Sequence, residues 1–187
     1  MWCDDQLRDH PYQGEVVNYL DGEGTWEAYT TNGEFRVDKK NVVVPGDIIS
    51  DLERAKLIGD PLFELNFLVN NTLWNDYQWN YETNFTVSSS KESHSLVFDG
   101  VKMGASVYVN DVLLGNVTDQ FLRYVFPLDS SILDDLNRLV VTFDSSIVCD
   151  GRWMACTGGW DWAPYTQTSQ ENAATFTKGI WKSVYVS

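Results

Sequence analysis

Gln78-Trp79-Asn80-Tyr81-Glu82-Thr83-Asn84-Phe85-Thr86-Val87 alternates between two kinds of side chain. Trp79, Tyr81, Thr83, Phe85 and Val87 fall on one side and Asn80, Glu82 and Asn84 on the other, which is the period of a half-buried β-strand with its aromatic residues directed inward. Strand patterns continue on both sides of it. Downstream lie Ser95 to Asp99, Ala105 to Val109, Val112 to Leu114, Arg123 to Leu128, Arg138 to Asp144 and Ile180 to Val186, with Asn110-Asp111 suited to a two-residue hairpin turn. Upstream, Thr25 to Tyr29 and Glu34 to Val37 flank Asn32-Gly33, another hairpin signal.

Helical signals are few. Pro45-Gly46 breaks the chain, and Asp47 can then cap a helix that places Ile48, Ile49, Leu52 and Ala55 on one face. A single helical turn fits Ile132 to Leu136. Many short strands without βαβ alternation predict an all-β fold, an antiparallel jelly-roll-like β-sandwich with one short helix. Residues 1–24, polar and acidic with an early Pro11, read as a loosely ordered lead-in, and residues 25–187 as one domain.

The 187 residues are 43% hydrophobic and include 8 Trp, enough for a sizeable core. Against 13 Lys and Arg stand 27 Asp and Glu, a net charge of −14, which argues against nucleic acid or an anionic membrane as partner. No apolar run approaches the roughly 20 residues of a membrane span, and the Met-Trp-Cys-Asp-Asp start lacks the pattern of a signal peptide. Cys3, Cys149 and Cys156 form neither a zinc pattern nor a disulfide framework, and the Asp4-Asp5, Asp21-Gly22-Glu23 and Asp134-Asp135 clusters read as solvated surface. His10 and His94 are isolated in sequence, and no nucleophile elbow, phosphate loop or dinucleotide pattern occurs. No cofactor or metal is expected. The sequons at Asn70, Asn84 and Asn116 are about as frequent as chance gives in so polar a chain.

The densest chemistry lies in Gly151-Arg152-Trp153-Met154-Ala155-Cys156-Thr157-Gly158-Gly159-Trp160-Asp161-Trp162-Ala163-Pro164. An indole stacks on the C–H face of a sugar ring, and a carboxylate accepts hydrogen bonds from adjacent hydroxyls, so Trp160, Asp161 and Trp162 fit a neutral polyol. The same spacing also fits a buried strand face, with Trp160 and Trp162 inside and Asp161 solvated.

Four blocks, in order, resemble the N-terminal sugar-binding-like domain of glycoside hydrolase family 2, and the last is most similar to its β-mannosidase branch. They are Val44 to Pro61, Trp79-Asn80-Tyr81, Phe98 to Val101 with Ala105 to Asn110, and Gly159 to Pro164 completed by Lys178 to Val184. The resemblance covers roughly residues 20–187 and implies a galactose-binding-like sandwich. It also implies that the Trp-Asp-Trp loop reaches the active site of a neighbouring (β/α)₈ barrel and holds the terminal sugar, with Arg152 at the spacing of a further binding arginine. Two barrel Glu residues would then hydrolyse the glycoside with retention, and a barrel of about 250 residues does not fit in this chain. On that reading the chain is the N-terminal part of a β-mannoside hydrolase and lacks both catalytic Glu. The alternative is a free-standing carbohydrate-binding module.

Overall fold

The computed structural model describes residues 18–70, 72–87, 93–102, 104–145 and 177–187. At its centre is β6 (Trp79–Phe85), paired antiparallel on one side with β3 (Glu27–Thr30) and on the other with β11 (Asn137–Phe143). The six-stranded sheet is completed by β4 (Arg36–Val37) beyond β3, and by β8 (Ala105–Val109) and β9 (Val112–Val117) beyond β11. The second sheet runs β1 (Asn18–Tyr19), β12 (Val184–Val186), β7 (His94–Phe98) and β10 (Tyr124–Leu128). A small ribbon pairs β2 (Gly22–Glu23) with β5 (Val43–Val44). Among the described residues every strand pairing is antiparallel, and apolar residues of both larger sheets join one buried cluster, so the fold is the expected β-sandwich.

The alternation in β6 has the consequence its period requires. Trp79 and Tyr81 are fully buried and Phe85 is 3% exposed, while Asn84 on the opposite side is exposed. Tyr81 meets Phe143 of β11 edge-on, with ring centroids 5.8 Å apart. At the turn between β8 and β9, Asn110 and Asp111 both take positive φ (49° and 66°), the geometry of the two-residue turn that matches strand twist. The Asn32-Gly33 hairpin also forms, with Ala28 opposite Val37.

The capped helix α1 (Ile48–Arg54) starts as expected: the Asp47 carboxylate accepts the Ser50 N–H at 3.0 Å, and Ile48 and Leu52 are buried. Two further short helices, α2 (Asn66–Asn70) and α3 (Thr72–Asn75), correct the expectation of one helix. They lack capping and periodic signals and are held by tertiary contacts, the indole of Trp79 donating to the Leu73 carbonyl at 2.7 Å. Residues 18–24 are more ordered than their composition predicts, because the Leu20 N–H donates to the Val184 carbonyl and the Asp21 carboxylate accepts the Val184 N–H. The last strand is shorter than Ile180 to Val186; residues 178–182 hydrogen-bond to loops instead of a ladder. The helical turn is a 3-10 turn at Ser130–Ile132, just ahead of its expected place.

Candidate functional site

Arg152, Trp160, Asp161 and Trp162 lie outside the described residues, as do Cys3, Cys149, Cys156 and His10. The framework from which their segment departs, and to which it returns, is described. Phe143, the last residue of β11, sits opposite Trp79 of β6, and the Asp144 N–H donates to the Gly104 carbonyl at 2.8 Å. The chain returns at Lys178, whose Nζ donates to the Tyr77 carbonyl at 2.7 Å and to the Asn75 carbonyl at 3.4 Å. Both attachments therefore lie at the Trp79 end of β6. Lys178 is 1% exposed, and burial lowers its ammonium pKa to about 8 against the opposing pull of Asp76 and Asp144.

The blocks far apart in sequence are knitted together at this end. The Ile48 N–H donates to the Lys178 carbonyl (2.8 Å) and the Gly46 N–H to that of Ile180 (2.7 Å), joining the start of α1 to the returning chain. Lys102 N–H reaches the Gly179 carbonyl at 3.0 Å, and Trp181 N–H the Gly100 carbonyl at 3.1 Å. Asp51 of α1, fully buried, accepts from the Tyr81 hydroxyl at 2.6 Å, from Arg54 at 2.6 Å and from the Val43 N–H at 3.2 Å. Burial raises the Asp51 carboxyl pKa, these donors oppose the rise, and burial next to that carboxylate pushes the Tyr81 phenol well up. Gly179, at φ +147°, passes so close to the α1 start that a Cβ there would lie 2.6 Å from the Gly46 carbonyl oxygen. The rigid base of the 145–177 connection thus contains residues from all the resemblance blocks except the Trp-Asp-Trp segment itself.

Sequence reading passes over a second feature, on the outer face of the six-stranded sheet. Tyr29, Asn80 and Thr142 lie side by side across three strands, and one step along, Glu82, Val140 and Tyr108 do the same. All of these but Glu82 line a shallow concavity of about 460 Å³. Glu82 Oε2 accepts from the Tyr29 hydroxyl (2.8 Å) and from Arg138 Nη2 (2.9 Å), while Arg138 Nη1 donates to Asp111 at 2.8 Å. The Arg138 hydrogen bond holds the Glu82 carboxyl pKa below its usual range; burial and Glu82 raise the Tyr29 phenol, and Glu82 raises the Arg138 guanidinium further. The signal in sequence was only the polar side of β6 and β11, because cross-strand assembly has no local pattern. Among the described residues no cluster of His, Cys, Asp and Glu suits a metal ion.

Residues 26–182 match the family described as glycosyl hydrolase 2 galactose-binding domain-like, and the chain belongs to that family. It is 28% identical to the β-mannosidase of Bos taurus over 201 aligned residues, covering 87% of this chain and 21% of the bovine protein. A probable β-mannosidase of Caenorhabditis elegans is 32% identical over 123 residues, 62% of this chain and 13% of the nematode protein. In three dimensions the chain resembles the β-D-mannosidase of Dictyoglomus thermophilum (TM-score 0.72, 24% identity, 93% of this chain and 22% of that one). It also resembles the exo-chitosanase of Amycolatopsis orientalis (TM-score 0.66, 17% identity, 91% of this chain and 20% of that one). The chain spans about a fifth of the length of the bovine relative.

Proposed function

We propose that this chain is the N-terminal domain of a β-mannosidase-like glycoside hydrolase, and that Trp160, Asp161 and Trp162, with Arg152, bind the terminal sugar of a β-mannoside. The observation that carries the reading is the alignment with β-mannosidases along 87% of the chain, which includes most of the family's domain. The base of the 145–177 connection supports it, since a buried lysine and backbone hydrogen bonds hold both ends of that segment at one end of the sandwich. The chemistry is binding: the Asp161 carboxylate accepts hydrogen bonds from two sugar hydroxyls, and a flanking indole covers the C–H face of the ring. Proton transfer and nucleophilic attack belong to two carboxylates of a barrel domain, the partner this reading requires.

The test has two arms. The 187-residue chain incubated with a chromogenic aryl β-mannoside gives no turnover above buffer, whereas turnover that survives repeated purification and Asp161→Ala overturns the domain reading. In the full-length protein, Asp161→Ala lowers kcat/KM at least about tenfold, since a charge-assisted hydrogen bond contributes roughly 1.5–3 kcal/mol, and leaves the unfolding midpoint in place. A kcat/KM within about twofold of wild type sinks the sugar-binding role.

A further inference from the structure

We propose that the concavity on the outer face of the six-stranded sheet is a binding surface for a neutral oligosaccharide, built by residues outside the 145–177 connection. The inference is independent of the role given to Asp161. At its floor Val140, 8% exposed, lies between Glu82 and Tyr108 of the neighbouring strands. Tyr108 lines the concavity, giving an aromatic ring beside that floor. Around it stand hydroxyl and amide groups already held in place. Thr142 Oγ1 donates to Asn80 Oδ1 at 2.7 Å, Asn80 Nδ2 donates to Thr31 Oγ1 at 2.9 Å, and Thr31 Oγ1 donates to Gln78 Oε1 at 2.8 Å.

The class of ligand follows from how the charges are used. Both terminal nitrogens of Arg138 are engaged by Glu82 and Asp111, so the guanidinium is already neutralised and does not recruit an anion. A predominantly apolar partner would strip water from this network without replacing its hydrogen bonds. A neutral sugar replaces that water in kind, hydroxyl for hydroxyl, and lays its C–H face on Val140 and Tyr108. From Arg138 to Thr142 the floor strand advances about 13 Å, which accommodates more than one sugar ring. One end of the concavity, at Asn80 and Thr142, adjoins Trp79 and Phe143, where the 145–177 connection begins; the other reaches the Asn110-Asp111 turn. A glycan chain lying along it would run parallel to the strands.

The experiment is a titration of the ¹⁵N-labelled 187-residue chain with β-1,4-mannotriose and, separately, cellotriose, followed by amide chemical shifts. The expected result is a saturable change with at least one trisaccharide, centred on residues 29–31, 78–82, 108 and 138–142. Tyr108→Ala and Thr142→Val each weaken it about tenfold. If either variant fails to fold, as judged by its own amide spectrum, the other decides. Absence of saturable shifts with both sugars, shifts centred elsewhere, or wild-type affinity in a folded Tyr108→Ala or Thr142→Val variant overturns the proposal.

Discussion

Gly179→Ala probes the base of the 145–177 connection where the structure is least tolerant. The residue has φ +147°, and a Cβ built on it would stand 2.6 Å from the Gly46 carbonyl oxygen and 2.7 Å from Asp47 Cα. Both contacts are backbone, so no side chain can swing aside. Relief requires that residues 46–47 and 178–180 separate, which stretches the Gly46–Ile180 and Ile48–Lys178 hydrogen bonds of 2.7 and 2.8 Å. Backbone strain costs on the order of 1–3 kcal/mol and overpacking a similar amount, so a loss of about 2–6 kcal/mol is expected. With a urea slope of about 2 kcal/mol per molar for a domain of this size, the unfolding midpoint falls by about 1–3 M. Gly24→Ala is the internal control: its φ of +78° is also positive, but nothing lies within 4 Å of the added methyl, so only the conformational part, about 1 kcal/mol, is lost. Equal midpoints for the two variants would refute the argument that backbone proximity, and not φ alone, makes Gly179 indispensable.

Phe85→Ala, at a position 3% exposed, is expected to cost on the order of 3–5 kcal/mol in equilibrium unfolding, and an unchanged midpoint would contradict its place in the core. Tyr81→Phe removes the hydroxyl that donates to buried Asp51 at 2.6 Å and should destabilise by about 1.5–3 kcal/mol at pH 7, with less effect once acid protonates Asp51; a pH-independent cost would refute a charge-assisted bond. Lys178 titrates near 8 when folded and near 10.5 when unfolded, so between those values the unfolded chain holds more protons and its contribution to stability rises with pH. That contribution is complete above the unfolded pKa and is lost as pH falls through about 8. Urea unfolding of wild type and Lys178→Met from pH 7.5 to 10 should show this slope only in wild type, and parallel profiles would count against a buried, charged Lys178.

The site assignments have different physical standing. Asp51, Tyr81, Lys178 and Gly179 build the frame, and their burial, hydrogen bonds and close backbone packing account for them without any ligand. Trp160, Asp161 and Trp162 rest on their chemistry and on the family to which the chain belongs. The concavity rests on geometry, since its side chains come from β3, β6, β8 and β11 and meet only when those strands pair.

Sequence by itself determined the features that are local in physical origin. The two-residue period around Trp79, Tyr81 and Phe85 dictated which face is buried, because any other register would expose three aromatic rings. Asn110-Asp111 specified its turn because those residues tolerate positive φ, and Asp47 specified a helix start because its carboxylate reaches the N–H of Ser50. The Trp-Asp-Trp candidate was legible for the same reason, its residues being contiguous. Tertiary structure alone decided what depends on distant segments meeting. Residues 18–24 gain order because β12 and β5 offer them hydrogen-bond partners; α2 and α3, too short to be stable in isolation, form because Trp79 ties down α3 and Phe67 of α2 packs on Trp74 of α3. Lys178 is buried because the carbonyls of Asn75 and Tyr77 converge on its ammonium. The polar outer face became a concavity through cross-strand register: Tyr29, Asn80 and Thr142 are 51 and 62 residues apart along the chain, and only the ladder sets them side by side.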